Sequence, residues 1–305
     1  MNEDKWFESS LQALHEQNLG SMTMEVVLVD SGSTDRTLEI AAKYNCRITH
    51  IKKSDFSFGR SLNQGCDFAR GNYLVFISAH CIPANQDWLL NLIRPLIEHK
   101  ASYSYGRQLG HDVSQFSEKQ IFAKYFPGES HIPQEGFFIN NANSAIIADV
   151  WKEYRFDESV TGLEDMVLGK QLVNSGHKIA YVADAPIIHV HEESYEQTII
   201  RYYREALTLR DILPDIHMNF ADFVRYYLAS VWLDFRAAGK EKTRINKWGI
   251  VRFRFAQFWG NYKGHNEVKK LSRKQKEDYY YPKPKVEKGV NYVAPPKISP
   301  RASAE

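Results

Sequence analysis

An α/β architecture, a mostly parallel sheet covered by helices, is what this sequence predicts. Two observations carry it. Apolar runs of strand length alternate with helical periodicity through the first half of the chain, the βαβ rhythm of crossover units. One run, "MEVVLVD", is apolar without alternation, as a strand buried on both faces should be. With 305 residues and 43% hydrophobic content, the chain can hold one large domain with a full core plus an extension.

The elements follow in order. "DKWFESSLQALHEQ" places Phe7, Leu11 and Leu14 at helical spacing. After "MEVVLVD", the stretch "STDRTLEIAAKYN" reads as a helix with Ser33 or Thr34 as N-cap. "RITHIKK" and "GNYLVFIS" read as strands, and "QDWLLNLIRPLIEHK" as a helix broken or kinked near Pro95. "SYSYGRQ" predicts a strand, "EKQIFAKYF" a helix, and "EGFFINNANSAII" a strand with an Asn-rich interruption. "LEDMVLGKQLVNSG" predicts a helix closed by Gly176 at C′. "KIAYV" and "PIIHVH" read as two short strands. From Tyr195 to about Asn261, two or three amphipathic helices rich in Tyr, Trp, Phe and Arg are expected. One feature is out of pattern: an alternating α/β sheet usually opens on a strand, and this chain opens on a helix.

Composition narrows the function classes. A net charge of +2 implies no global polyelectrolyte partner, and nothing before Lys240 supports nucleic-acid binding. Cys46, Cys66 and Cys81 are odd in number and lack metal-ligand spacing, which suggests a reduced compartment. The sequence shows no signal-peptide pattern and no apolar run near 18 residues, so a cytoplasmic protein, at most peripheral on the inner face of the membrane, is expected. The expected organisation is a catalytic-type domain over 1–194, a basic-aromatic helical extension over 195–262 and a Pro- and Lys-rich flexible tail over 263–305.

Several residues carry candidate chemistry, each beside a plainer reading. Asp30 ends a buried strand before "SGSTD", where open α/β sheets bind ligands; it also suits a helix cap. Gly32 lets a backbone approach a ligand, and the following helix start offers free N–H groups. Glu164 and Asp165 sit at a helix N-terminus, either as macrodipole partners or as a general base facing a cleft. His189 and His191, two apart on a strand, share a face and can share a metal or flank an anion. In "VFISAHCIP", Ser78 and His80 follow a strand end. Arg60 either contacts a diphosphate or is a solvated charge.

Together, "VVLVDSGSTDRTLEIA", "FSFGRSLNQGCDFARGNYLVFISAHCIP", "GLEDMVLGKQLVNSGHKIAYV" and "IIHVHEESYEQTIIRYYRE" closely resemble family 2 glycosyltransferases, above all rhamnosyltransferase-like members of bacterial polysaccharide pathways. The resemblance covers roughly Asn2 to Asp211. It implies a GT-A fold, with a Rossmann-like nucleotide-binding half and an acceptor-binding half, and inverting transfer from a nucleotide-sugar to a saccharide or lipid-linked acceptor. By resemblance, Asp30, Ser31, Gly32, Arg60 and Ser78 belong to the donor-nucleotide side. Asp165 matches the catalytic base, with Glu164 beside it. His191 or His189 matches a metal-binding His after the last strand. Arg107, Asn141 and Asn143 lie in segments resembling those that line the donor–acceptor cleft. The aromatic-basic helices after Tyr195 suggest contact with an anionic membrane surface, or else a packed subdomain.

The chain departs from the family pattern twice. The family's first strand should precede the opening helix, yet here "MNEDKW" begins at the end of that strand, so the strand is expected to be missing. The metal-binding acidic motif reads Ser78-Ala79-His80, with His80 in place of the acid. Carboxylates suit Mg2+ and Mn2+, whereas imidazole suits later transition metals. Two readings therefore stand: a divalent cation (Mn2+ or Mg2+) held with help from His80, or His80 binding the diphosphate directly. A catalytically silent sugar-nucleotide-binding or scaffold protein is the alternative of another class.

Overall fold

A computed structural model describes residues 2–241, 245–267 and 280. Most of the tail expected over 263–305 therefore lies outside the described residues.

Strands β1 (Val27–Asp30) and β2 (Arg47–His50) form a parallel pair flanked by α1 (Asp4–His15), α2 (Thr37–Lys43) and α3 (Phe58–Phe68). The larger sheet has five strands in the order β3-β6-β5-β7-β4: β3 (Tyr73–Ile77), β4 (Cys81–Pro83), β5 (Tyr103–Gly110), β6 (Asn143–Ile147) and β7 (Ile179–His189). It is mixed, not mostly parallel. β5 and β7 run parallel, while β6 is antiparallel to both neighbours and β4 to β7. The helices α4 (Trp88–Ile97), α5 (Phe116–Tyr125), α6 (Ala148–Tyr154) and α7 (Glu164–Asn174) complete this part. One core cluster, including Leu11, Trp88 and Leu92, lies under α1 and α4. Another, including Tyr103, Ile146 and Leu168, lies on the opposite side of the sheet.

Local chemistry explains where the elements depart from expectation. α2 begins at Thr37, and neither Ser33 nor Thr34 caps it. The Asp35 carboxylate accepts the Thr37 N–H instead, while Ser33 and Thr34 bond Asn2. α4 runs through Pro95 to Ile97, since a proline in the last turn removes only one helical bond. "KIAYV" and "PIIHVH" are one strand, β7, whose ladder with β5 shifts register between Gly106 and Gln108. β1 is buried only at Asp30, not along its length. Among the described residues, β1 and β3 each have one unpaired edge, and both strands line one cavity.

Three helices form the extension: α8 (Tyr195–Ile212), α9 (Phe220–Ala238) and α10 (Lys247–His265). α10 lies tightly along α8. A Cβ at Gly260 or Gly264 would come within 2.5 Å of the Ile199 or Tyr203 carbonyl oxygen, so only glycine permits this crossing. α9 is clipped to α10 by a buried bidentate ion pair, with Arg254 Nε and a terminal guanidinium nitrogen each 2.7 Å from the two Asp234 oxygens.

Candidate active site

The carboxyl ends of β1, β3 and β7 and the start of α7 open on one cavity of about 1770 Å3. Asp30, Ser78, His80, His189 and His191 line it, as do Asn141, Glu164 and Asp165.

On the donor side, Asp30 first organises its own turn. Its carboxylate accepts the N–H of Gly32 at 2.9 Å and of Ser33 at 3.1 Å. Burial works against its charge, but the bonds from Ser33 and Gly32 more than offset this and hold the carboxyl below its ordinary range. Gly32 sits at φ +97°, a conformation that side chains rarely adopt. Ser31 is buried in the same turn. Asp30 thus faces the cavity as a fixed, ionised acceptor.

The three imidazoles meet although His80 is more than a hundred residues from the others. The His80 and His189 rings stack at 5.2 Å, and those of His189 and His191 lie 4.0 Å apart. One ring nitrogen from each falls within 4.8 Å of the others. Hydrogen bonds set the tautomers. Gln108 donates its amide N–H to Asn140 Oδ1 at 2.8 Å, so its Oε1 accepts from His189 Nδ1 at 2.7 Å. The lone pair of His189 is then on Nε2, which is buried without a hydrogen-bond partner. Burial, with the neighbouring His191 and His80, pushes the His189 pKa well down and keeps the ring neutral. His191 Nδ1 lies 2.6 Å from Glu118 Oε1, which also accepts from Arg201 at 2.7 Å. Burial opposes ionisation of Glu118, but the His191 and Arg201 bonds win and hold its carboxyl low. His80 Nδ1 lies 3.3 Å from the Glu3 carboxylate.

This donor set fits a divalent cation. Metal-bound histidines ordinarily give their other ring N–H to a carboxylate, amide or carbonyl oxygen, as all three can here. Three imidazoles without a direct carboxylate favour a transition ion over Mg2+.

The second half of the site is the carboxylate pair at the start of α7. Leu163, just before it, holds φ +56°, a left-handed conformation costly for a bulky residue, and points to a positionally demanding turn. Asp165 accepts the N–H of Asn141 at 2.8 Å and of Met166 at 2.8 Å. Burial raises both carboxyls, Asp165 to about 6 and Glu164 to about 8, with the Asp165 charge adding to the rise at Glu164. The two N–H bonds favour charge on Asp165, so the pair near neutral pH is an ionised Asp165 beside a protonated Glu164. The Asn140–Asn141 loop ties the two halves together: Asn140 holds Gln108, and Asn141 holds Asp165.

Other residues that the sequence singles out are engaged elsewhere. Arg60 pairs with Glu158 at 2.8 Å and bonds the Asp55 carbonyl; it does not line the cavity. The nearby Glu158 carboxylate is the physical reason. Asn143 is fully buried and bonds Trp88, the Arg107 carbonyl and the Ala185 carbonyl, a structural role across strands. Arg107, at the register shift, lies against Gly128 and not among the lining residues. Sequence reasoning missed Glu3, Glu118 and Arg201. Glu118 lies 73 residues from His191, so no local spacing betrays it; the one available signal for Gln108 was its place in "GRQ".

Residues 1–153 match the family described as "Glycosyl transferase family 2", and the chain belongs to that family. It is 25% identical over 273 residues to the O-antigen chain rhamnosyltransferase WbaN of Salmonella anatum, covering 84% of this chain and 78% of that protein. It is also 25% identical to the O-antigen chain rhamnosyltransferase RfbN of Salmonella typhimurium, covering 77% and 74%. Similar folds include the mannosyltransferase PcManGT of Pyrobaculum calidifontis in complex with GDP-Man and Mn2+, with a TM-score of 0.55 and 17% identity, covering 79% of this chain and 73% of that one. TarS of S. aureus, residues 1–349 in complex with UDP-GlcNAc, has a TM-score of 0.52 and 17% identity, covering 79% and 71%. The fold is therefore that of GT-A glycosyltransferases, and the chain is a glycosyltransferase.

Proposed function

We propose that this chain is an inverting glycosyltransferase that moves a hexosyl or deoxyhexosyl group from a nucleotide-sugar to a hydroxyl of a saccharide or lipid-linked acceptor in cell-surface polysaccharide synthesis. The observation that carries the reading is the joining of the Asp165 carboxyl and the three-imidazole cluster on one cavity, through the loop of Asn140 and Asn141.

In this reading Asp30 and the turn through Ser31 and Gly32 hold the donor nucleotide, and Ser78 lies beside it. Asp165 takes the proton of the acceptor hydroxyl as its oxygen attacks the anomeric carbon. The new carbon–oxygen bond forms as the bond to the diphosphate breaks, and one displacement inverts the configuration. Protonated Glu164 is left as a donor to a sugar or acceptor oxygen. A cation on His80, His189 and His191 would supply positive charge beside the leaving diphosphate. Asn141, whose Nδ2 is buried without a partner, offers a donor to substrate in the cleft.

Among the described residues, no helix is long and apolar enough to cross a membrane. α9 nevertheless exposes Leu228, Trp232 and Leu233, each more than half accessible, beside Arg225 and Arg236. Its acids are engaged: Asp234 with Arg254 inside, and Asp222 with Arg225. That face suits an anionic lipid surface, where a lipid-linked acceptor would lie, on the cytoplasmic side.

The test is turnover with a panel of nucleotide-sugars. Activity should fall about 100- to 10,000-fold in Asp165→Asn, the usual reach of general-base catalysis. Unchanged turnover sinks the assignment. Nucleotide binding with no turnover across the panel favours the silent-scaffold alternative.

A further inference from the structure

α8 belongs to the helical extension, yet one face of it walls the cavity that holds Glu164 and Asp165. Arg201, Glu205 and Leu209 follow one another at four-residue spacing, and all three line that cavity. The helix is held firmly on either side of this face. Arg201 bonds Glu118 at 2.7 Å and Glu193 at 2.9 Å. On the other side, the close crossing with α10 at Gly260 and Gly264 fixes the turns of Ile199 and Tyr203. The turn that carries Glu205 also stands over the start of α7. A Cβ at Gly162, two residues before Glu164, would lie 3.5 Å from Arg204 Nε.

Glu205 differs from the other acids along this wall. Glu118 and Glu193 are bonded to Arg201, and Glu192 to Lys5. Among the described residues, the Glu205 carboxylate accepts no hydrogen bond and enters no ion pair. It is nevertheless half-buried, where a carboxylate without a partner is costly. Burial raises its carboxyl, and the charges of Arg201 and Arg204 work against that rise. Its own charge helps to raise Glu164 and Asp165, so it stands within electrostatic reach of both.

The same cavity supplies a complementary donor. Asn141 Oδ1 accepts the Tyr103 hydroxyl at 2.5 Å and the Ser144 hydroxyl at 2.6 Å. Two hydroxyl donors fix which way the amide faces, and Nδ2 is the group left buried without a partner. Tyr125, Phe126 and Phe138 add apolar surface to the lining. Apolar walls with a few convergent polar groups suit a sugar ring, which has apolar faces and a polar rim.

We propose that Glu205 is the residue through which the extension recognises the acceptor sugar. Its carboxylate takes a hydrogen bond from a hydroxyl of an uncharged pyranose unit, beside the hydroxyl that Asp165 deprotonates, and Asn141 Nδ2 donates to the same unit. An acidic sugar is disfavoured, because it would bring a third negative charge to Asp165 and Glu205 while Arg201 is already bonded to Glu118 and Glu193. The inference rests on the transferase reading for the role of Asp165, but its test reads binding and needs no turnover.

The probes are the methyl glycosides of glucose, galactose, mannose and rhamnose, with methyl glucuronide as the acidic counterpart. Saturation-transfer NMR follows them on the full chain, with Mn2+ and a mixture of nucleoside diphosphates present. At least one neutral glycoside should bind, about tenfold or more tightly than the glucuronide. In Glu205→Gln, which keeps the shape, neutral binding should weaken about tenfold, and the preference over the glucuronide should fall by a similar factor. On the unmodified protein alone, no binding by any neutral glycoside overturns the proposal, and so does a glucuronide that binds as tightly as the neutral probes. A preference unchanged in Glu205→Gln overturns it too, since a carboxylate with a purely structural role would weaken all probes alike. Binding that follows the expected pattern without any turnover counts against the transferase reading and leaves the sugar site standing.

Discussion

Replacing Gln108 by Leu removes the hydrogen bond that sets the His189 tautomer, together with the bond to Asn140. Gln108 Oε1 is the acceptor for His189 Nδ1 at 2.7 Å, and both side chains are buried. Leu roughly preserves the volume, so no large cavity opens. The change leaves a buried N–H without an acceptor, a loss of about 1–3 kcal/mol. At about 1.4 kcal/mol per tenfold, that corresponds to roughly 5- to 150-fold in an equilibrium that needs the ring held in place. An independent expectation agrees: removing the outer partner of a metal-ligating His typically costs about 10- to 100-fold in metal affinity. The Asn140 carboxamide oxygen keeps the Ala142 N–H at 3.1 Å, so the loop to Asp165 survives. Calorimetric titration with Mn2+ and with Zn2+ should show binding weakened about 10- to 100-fold in Gln108→Leu. An affinity within twofold of the unmodified protein, in a variant that melts as a folded protein, would refute the tautomer argument. No binding by the unmodified protein would remove the metal reading and leave His80 to act on the diphosphate alone.

Other outcomes follow from the same geometry. The pH profile of kcat/KM should rise with a slope of one through about pH 6 as Asp165 ionises; a profile flat from pH 5 to 8 contradicts the base assignment. Glu164 holds its proton to about 8 in the folded chain, against 4.5 ordinarily, so folding is favoured fully below the lower value and loses that support as pH climbs through the upper one. Urea unfolding should accordingly find Glu164→Gln near neutral at pH 5 but stabilising relative to the unmodified chain at pH 9; equal effects at both would deny the shift. Arg254→Met alone should destabilise by about 3–5 kcal/mol because it strands Asp234, and adding Asp234→Leu should recover most of the loss. A double variant no more stable than the single one would mean that the pair is not the clip between α9 and α10. Trp232→Glu should reduce co-sedimentation with anionic vesicles at low salt, and high salt should weaken the unmodified protein in the same assay. Binding indifferent to both would remove α9 from the membrane.

By itself the sequence determined the alternation of helices and strands, the helical character of the stretch after Tyr195 and the family. Those properties live in local patterns: apolar runs, helical spacing, and motifs a few residues long such as "EDM" and "HVH". It also marked Asp30, His80, Asp165, His189 and His191, because strand ends and helix starts project side chains into clefts whatever else surrounds them. Tertiary structure alone decided which of the other candidates reach the cleft. Arg60 was claimed by Glu158 and Asn143 by Trp88, partners 98 and 55 residues away. Glu118 and Gln108 became the supports of the imidazoles for the same reason: hydrogen-bond partners distant in sequence leave no periodicity to read. The antiparallel placement of β6 and β4 was likewise hidden, since a buried strand is apolar whichever way it runs. The opening helix was legible as an irregularity, but only the folded chain shows that β1 and β3 each leave one edge unpaired on the cavity, because strand pairing is made between segments distant in sequence.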